Sequence, residues 1–178
     1  LGRTIDAGIP IWTRTKLVEL IEEDGEVKGA ILEQDGKRVT VKTRKGVVLA
    51  AGGFDHNMEM RRKYQSETLK KDISLGAETN EGDAIVAAEK VGAGLRLMHE
   101  AWWFPSVTPL TEGGAPMVLL SERALPGSII VDETGKRFVN EANGYYDYVK
   151  AMVAAAPPGE EVASWLICSH GFQRRYGL

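Results

Sequence analysis

Apolar and polar residues alternate roughly every second position over residues 17–42. This predicts three strands, LVELIEE, VKGAILE and RVTVK. Asp24-Gly25 and Asp35-Gly36 separate them, and such dipeptides close tight hairpins because the turn needs residues that tolerate positive φ. In the first strand Leu17, Glu19 and Ile21 alternate with Val18, Leu20 and Glu22, so the period of two is only rough. VVLAA (residues 47–51) is apolar at every position, which predicts a strand buried on both faces of a parallel layer. NMEMRRKYQSE predicts a short helix. Ala84, Ile85, Ala88 and Val91 recur at helical spacing, with Gly92 or Gly94 as the stop, so Gly82 and Asp83 sit in the first turn or just before it. Residues 99–117 carry three adjacent aromatics, three prolines and two glycines, which predicts a long irregular connection and a domain boundary. GSIIVD and RFVNE predict two short strands joined by a turn at 132–135. DYVKAMVAAA predicts a helix stopped by Pro157-Pro158, and ASWLIC opens a further strand.

The length of 178 residues suits one domain, or one domain and a piece. With 22 basic against 25 acidic side chains the net charge is −3, which excludes a general basic surface for nucleic acid. No apolar run approaches the roughly 20 residues that span a bilayer, so no transmembrane segment is expected. Cys168 is the single cysteine and excludes an internal disulfide framework or a thiolate cluster, and a cytoplasmic setting is expected. His56, His99 and His170 are scattered without metal-ligand spacing, so no metal site is expected. The first residues do not form a signal peptide and there is no initiator Met, which suggests an internal piece of a longer protein.

Four stretches could carry chemistry, each with a plainer reading beside it. Gly52-Gly53 after the apolar run is either a tight turn or a place where backbone approaches a ligand. Asp83 either complements a helix dipole or accepts from a sugar-type hydroxyl. Trp102-Trp103-Phe104 is pinned to a core or lines an apolar pocket. Tyr145, Tyr146 and Tyr148 precede a helix, and a tyrosine serves as acid or base only if its proton is loosened by its surroundings.

Taken together, GVVLAAGGFDHN, NEGDAIVAAEKVGA and LLSERALPGSIIVDETGKRFVNEANGYYDY resemble the flavoprotein subunit family of fumarate reductases and succinate dehydrogenases. Within it the chain is most similar to 3-ketosteroid Δ1-dehydrogenases. The resemblance implies an α+β architecture: an α/β portion of an FAD domain with a β-meander at 1–103, then a truncated α+β cap or substrate domain at 104–178. The FAD domain's opening G-x-G-x-x-G turn and its closing flavin-binding segment have no counterpart here. It implies cofactor contacts from Leu17, from Ala50, Ala51, Gly52 and Gly53, and from Gly82 and Asp83, with Glu81 standing where the family often has Thr. The chain alone is then expected to bind FAD weakly or not at all, and to associate through exposed apolar edges near residues 1–60 and its C-terminus.

The departures from the dicarboxylate pattern bear on substrate. Ser121-Glu122 matches the family's Thr-Glu pair. Phe104-Pro105 stands where His-Pro is expected, with Trp102 and Trp103 before it. Tyr145 takes the place of the proton-donating Arg of fumarate reductases. A dianion needs paired charge when it leaves water, whereas these rings suit a flat hydrophobic ketone. The resemblance implies Tyr145 as a base toward ring carbon C2, with the C1 hydride passing to flavin N5 and electrons then to an acceptor. Burial raises a phenol's pKa, so such a base needs a hydrogen-bond donor or a second tyrosine beside it. The alternatives are a fumarate- or enoate-type reductase with an altered pocket, and a non-catalytic module using Trp102-Trp103-Phe104 as an interaction surface.

Overall fold

The structure is a computed structural model that describes residues 2–108 and 116–177. In chain order the elements are α1 (Gly2–Asp6), β1 (Thr15–Glu23), β2 (Glu26–Gln34), β3 (Lys37–Lys42), α2 (Met58–Tyr64) and α3 (Asp83–Lys90). Then follow β4 (Ser106–Val107), β5 (Met117–Val118), a 3-10 turn at Glu122–Ala124, β6 (Ser128–Val131), α4 (Tyr145–Ala155), β7 (Trp165–Cys168) and α5 (His170–Tyr176). Helices and small antiparallel sheets are mixed along the chain. No helix among the described residues is long and apolar enough to cross a membrane.

The described residues fall into two compact units, one from 2–54 with 78–96, the other from 55–77 with 97–108 and 116–177. Residues 55–77 and 97–103 pack with the second of these units.

The first unit is built on the meander β1-β2-β3. Both Asp-Gly turns have positive φ at each residue: 55° and 79° at Asp24-Gly25, 49° and 75° at Asp35-Gly36. The rough alternation of β1 has a cause in register. Leu17 pairs with Leu32 but Glu19 pairs with Ile31, so Val18 is an extra residue in a bulge. Leu20 then faces Ala30, which returns Leu17 and Leu20 to one side of the sheet. That side packs on α3, with Leu20, Ala30 and Ala87 buried and Leu17, Leu32, Ala88 and Val91 around them. Gly92, at φ 83°, ends α3 as its sequence implies.

The run VVLAA does not form the expected strand. Val48 is 92% exposed, and Leu49, Ala50 and Ala51 are also exposed. A strand needs a neighbour to take its N–H and C=O groups, and no strand among the described residues pairs with this run.

The second unit is held by Trp103, Ile130, Tyr148 and Val149, of which Ile130 and Tyr148 are 2% exposed. Two corrections belong here. Residues 99–117 are not wholly irregular, since β4 pairs antiparallel with β5; residues 109–115 of that stretch lie outside the described residues. RFVNE is not a strand, and β6 pairs with β7 instead. A carboxylate takes the place of a second strand at Ile130, whose N–H donates to Glu141 Oε1 at 2.8 Å. Arg137 holds the same carboxylate through Nε at 3.0 Å and an NH2 group at 2.6 Å. Asp132 closes the intervening turn, its Oδ1 accepting from the N–H groups of Thr134 (2.9 Å) and Lys136 (3.0 Å). A third correction concerns α4, which begins at Tyr145, so the tyrosines lie within the helix and not ahead of it.

The guanidinium of Arg137 and the Ile130 N–H hold the Glu141 carboxyl down at about 2, against 4.5 ordinarily. A depressed carboxyl stabilises the fold fully above its ordinary value and loses that contribution as pH falls toward 2. Glu141→Ala orphans a buried N–H and is expected to cost about 1–3 kcal/mol in urea denaturation, with faster amide exchange at Ile130. The wild-type advantage over Glu141→Ala is expected to shrink between pH 4.5 and about 2.

Candidate active site

In the first unit two of the expected cofactor segments, at Gly52 and at Gly82-Asp83, approach one another at a helix start. Gly82 caps α3 in the left-handed region at φ 83° and offers no side-chain cap. The first-turn N–H groups of a helix have no intrahelical acceptor, so this end suits an anionic oxygen such as a phosphate. Lys16, beside Leu17 on β1, pairs with Asp83 at 3.1 Å and lies 3.9 Å from Glu81. Its amine is pushed up by the hydrogen bond to Asp83. Gly52, at φ 80°, lies against the Asn80 carboxamide, which a Cβ at residue 52 would strike. Leu17, Gly52 and the 80–83 turn are thus tied through Lys16–Asp83 and Gly52–Asn80. Ala50 and Ala51 are exposed, and Gly53 is half-buried. This exposed run beside an uncapped helix start fits the phosphate and sugar portions of a dinucleotide.

In the second unit the Trp-Trp-Phe triplet splits. Trp103 is only 9% exposed, joins the core with Ile130 and Tyr148, and lies under the Arg61 guanidinium at 5.9 Å. Trp102 is 76% exposed and turns toward Tyr145, donating from Nε1 to the phenol oxygen at 2.9 Å. Phe104 stacks on the Tyr145 ring at 4.8 Å and meets Trp102 at 5.5 Å. The core reading of the triplet holds for Trp103, while Trp102 is exposed.

Environment sorts the three tyrosines. Tyr148 is buried, hydrogen-bonds with Ser164 at 2.8 Å, and burial pushes its phenol up. Tyr146 donates to the Glu100 carboxylate, which also pushes its phenol up and keeps the proton in place. Tyr145 alone of the three accepts from an indole N–H.

Ser121 and Glu122 sit at the start of the 3-10 turn, where Glu122 Oε2 accepts the Ser121 N–H at 3.1 Å. The next residue is the surprise. Arg123 is 3% exposed and its guanidinium donates to the carbonyls of Leu120 (2.7 Å) and Asn143 (2.6 Å). It also faces the Tyr148 ring at 5.1 Å, and burial lowers its pKa. Arg123 therefore ties the 120–123 segment to the loop just before Tyr145. Neither Arg123 nor Glu100 has a signal in the sequence, because their partners lie 20 and 46 residues away. Among the described residues no group of His, Cys, Asp and Glu could hold a metal ion.

A family model described as FAD binding domain matches residues 1–176. The 3-oxosteroid 1-dehydrogenase of Mycolicibacterium smegmatis is 43% identical over 181 residues, covering 96% of this chain and 31% of that protein. The chain thus spans about a third of the length of the curated relatives it matches. A crystal structure of 3-ketosteroid Δ1-dehydrogenase from Sterolibacterium denitrificans, in complex with 1,4-androstadiene-3,17-dione, matches with a TM-score of 0.88. The identity is 35%, covering 97% of this chain and 32% of that one. The open conformation of a flavocytochrome c3 fumarate reductase shares the fold, with a TM-score of 0.65 at 21% identity. An uncapped helix start beside an exposed glycine run and a match along nearly the whole sequence agree: this chain belongs to the FAD-binding domain family.

Proposed function

We propose that this chain is part of an FAD-dependent dehydrogenase that desaturates a 3-ketosteroid or a similar hydrophobic cyclic ketone. In this reading residues 1–103 are part of the FAD-binding domain, and 104–178 belong to the substrate cap. The observation that carries it is the setting of Tyr145, a phenol accepting a hydrogen bond from Trp102 and stacked on Phe104. The relatives named 3-oxosteroid 1-dehydrogenase support the substrate class.

Tyr145 takes the proton from the carbon next to the ketone, and that C–H electron pair becomes the new double bond as the neighbouring carbon loses hydride. FAD, when bound, would supply the hydride acceptor and the link to an external electron acceptor. The exposed faces of Trp102 and Phe104 bind the flat apolar rings and exclude water from the phenol. Ser121 and Glu122 are assigned to the substrate site in this reading; the next residue, Arg123, is tied to the Asn143 carbonyl two residues before Tyr145. Gly82, Asp83, Leu17 and the Ala50–Gly53 run hold the cofactor's nucleotide portion. A dicarboxylate would lose its hydration among these rings, where the phenol of Tyr145 stands in place of a cation, which disfavours a fumarate-type reductase.

Tyr145→Phe in the flavin-loaded protein is expected to lower turnover by about 10²–10⁴-fold with flavin content unchanged; near-parental turnover removes Tyr145 from the mechanism. Mixing that protein anaerobically with a 3-ketosteroid is expected to bleach the visible flavin absorbance. An unchanged band, followed by reoxidation of the chemically reduced protein by fumarate or an enoate, would establish the reductase instead. The 178 residues alone are expected to copurify with little or no flavin, since they cover about a third of their relatives; a stoichiometric yellow chromophore would contradict this.

A further inference from the structure

We propose that Trp102 is a positioning residue for Tyr145. Its indole N–H fixes the phenol oxygen and stabilises the negative charge that oxygen carries when it acts as a base. The inference rests on the reading of Tyr145 as that base. An indole nitrogen is a donor only, so the 2.9 Å contact has one polarity: Trp102 gives and Tyr145 receives. The hydrogen of Tyr145 is then not spent on this contact. When the oxygen carries negative charge the same contact becomes a charge-assisted hydrogen bond, which is shorter and stronger than the neutral one.

The surroundings leave Trp102 this role. Phe104, stacked on Tyr145 at 4.8 Å, holds the ring plane and competes for no hydrogen bond. The neighbouring phenol of Tyr146 is committed to Glu100. Trp102 is 76% exposed and lies outside the core cluster of Trp103, Ile130, Tyr148 and Val149, so burial does not account for its orientation. The adjacent Trp103 supplies that packing instead. Two consecutive indoles therefore divide the work, one holding the unit together and one addressing the phenol.

The test compares Trp102→Phe, which keeps an aromatic ring without the N–H, and Trp102→His, which restores a ring N–H donor. Both are made in the flavin-loaded protein and assayed with a 3-ketosteroid beside Tyr145→Phe. Because Trp102 is exposed, both variants are expected to fold and carry parental flavin, which absorbance checks. Trp102→Phe is expected to lower kcat about 10–100-fold with KM little changed, and Trp102→His to recover part of that loss. Parental kcat in Trp102→Phe, beside an inactive Tyr145→Phe, overturns this inference and leaves the base assignment standing. Equal loss in the Phe and His variants, or a loss confined to KM, also overturns it by reducing Trp102 to a wall of the pocket. An active Tyr145→Phe removes the base itself.

Discussion

Backbone polar groups taken out of water must be satisfied, and the second unit has too little regular structure to do this with ladders alone. Side chains supply the missing partners. Glu141 accepts from the Ile130 N–H on the edge of β6 away from β7. Arg123 donates to the carbonyls of Leu120 and Asn143, and Asp132 closes the turn that brings Glu141 back to β6. Each unsatisfied group would cost about 1–3 kcal/mol, comparable with the worth of a buried apolar side chain. These bonds fix the chain from β6 to Asn143, and α4 starts two residues later with Tyr145 in its first turn.

Residues of one type do different work there because their surroundings differ. Tyr148 is a core residue whose hydroxyl finds Ser164. Tyr146 is locked to a carboxylate, which favours its protonated form. Tyr145 receives a hydrogen bond and presents its ring to Phe104. Trp102 and Trp103 divide in the same way between surface and core. The proposed chemistry draws on the members left outside the core, as expected if packing holds the scaffold and its margin meets the ligand.

The first unit rests on a different device. A bulge at Val18 returns Leu17 and Leu20 to one face of the meander, which lets α3 dock on it. Docking sets the uncapped start of α3 in reach of Lys16, and Asn80 over Gly52. The segments proposed to meet the nucleotide are therefore joined by an exposed ion pair and a close backbone approach. An exposed pair contributes little to stability, so the docking of α3 carries the arrangement.

Much of the local structure was legible. The hairpin turns, the short helix α2, the end of α3 and the stop of α4 before Pro157 depend on residues a few positions apart, and such preferences are written in order along the chain. The family was legible too, because motif order and spacing survive without coordinates. What the sequence could not disclose depended on distant partners. VVLAA reads as a buried strand, but hydrogen bonds to a neighbour make a strand and composition does not. RFVNE reads as a strand until the Glu141 carboxylate takes the place at Ile130 that its backbone would fill. The Trp102–Tyr145 bond spans 43 residues and the Arg123–Asn143 bond 20. Sequence alone determined the meander, the helices α2, α3 and α4, and which rings are available. The tertiary structure decided which ring faces the phenol, because that choice is set by contacts no local pattern encodes.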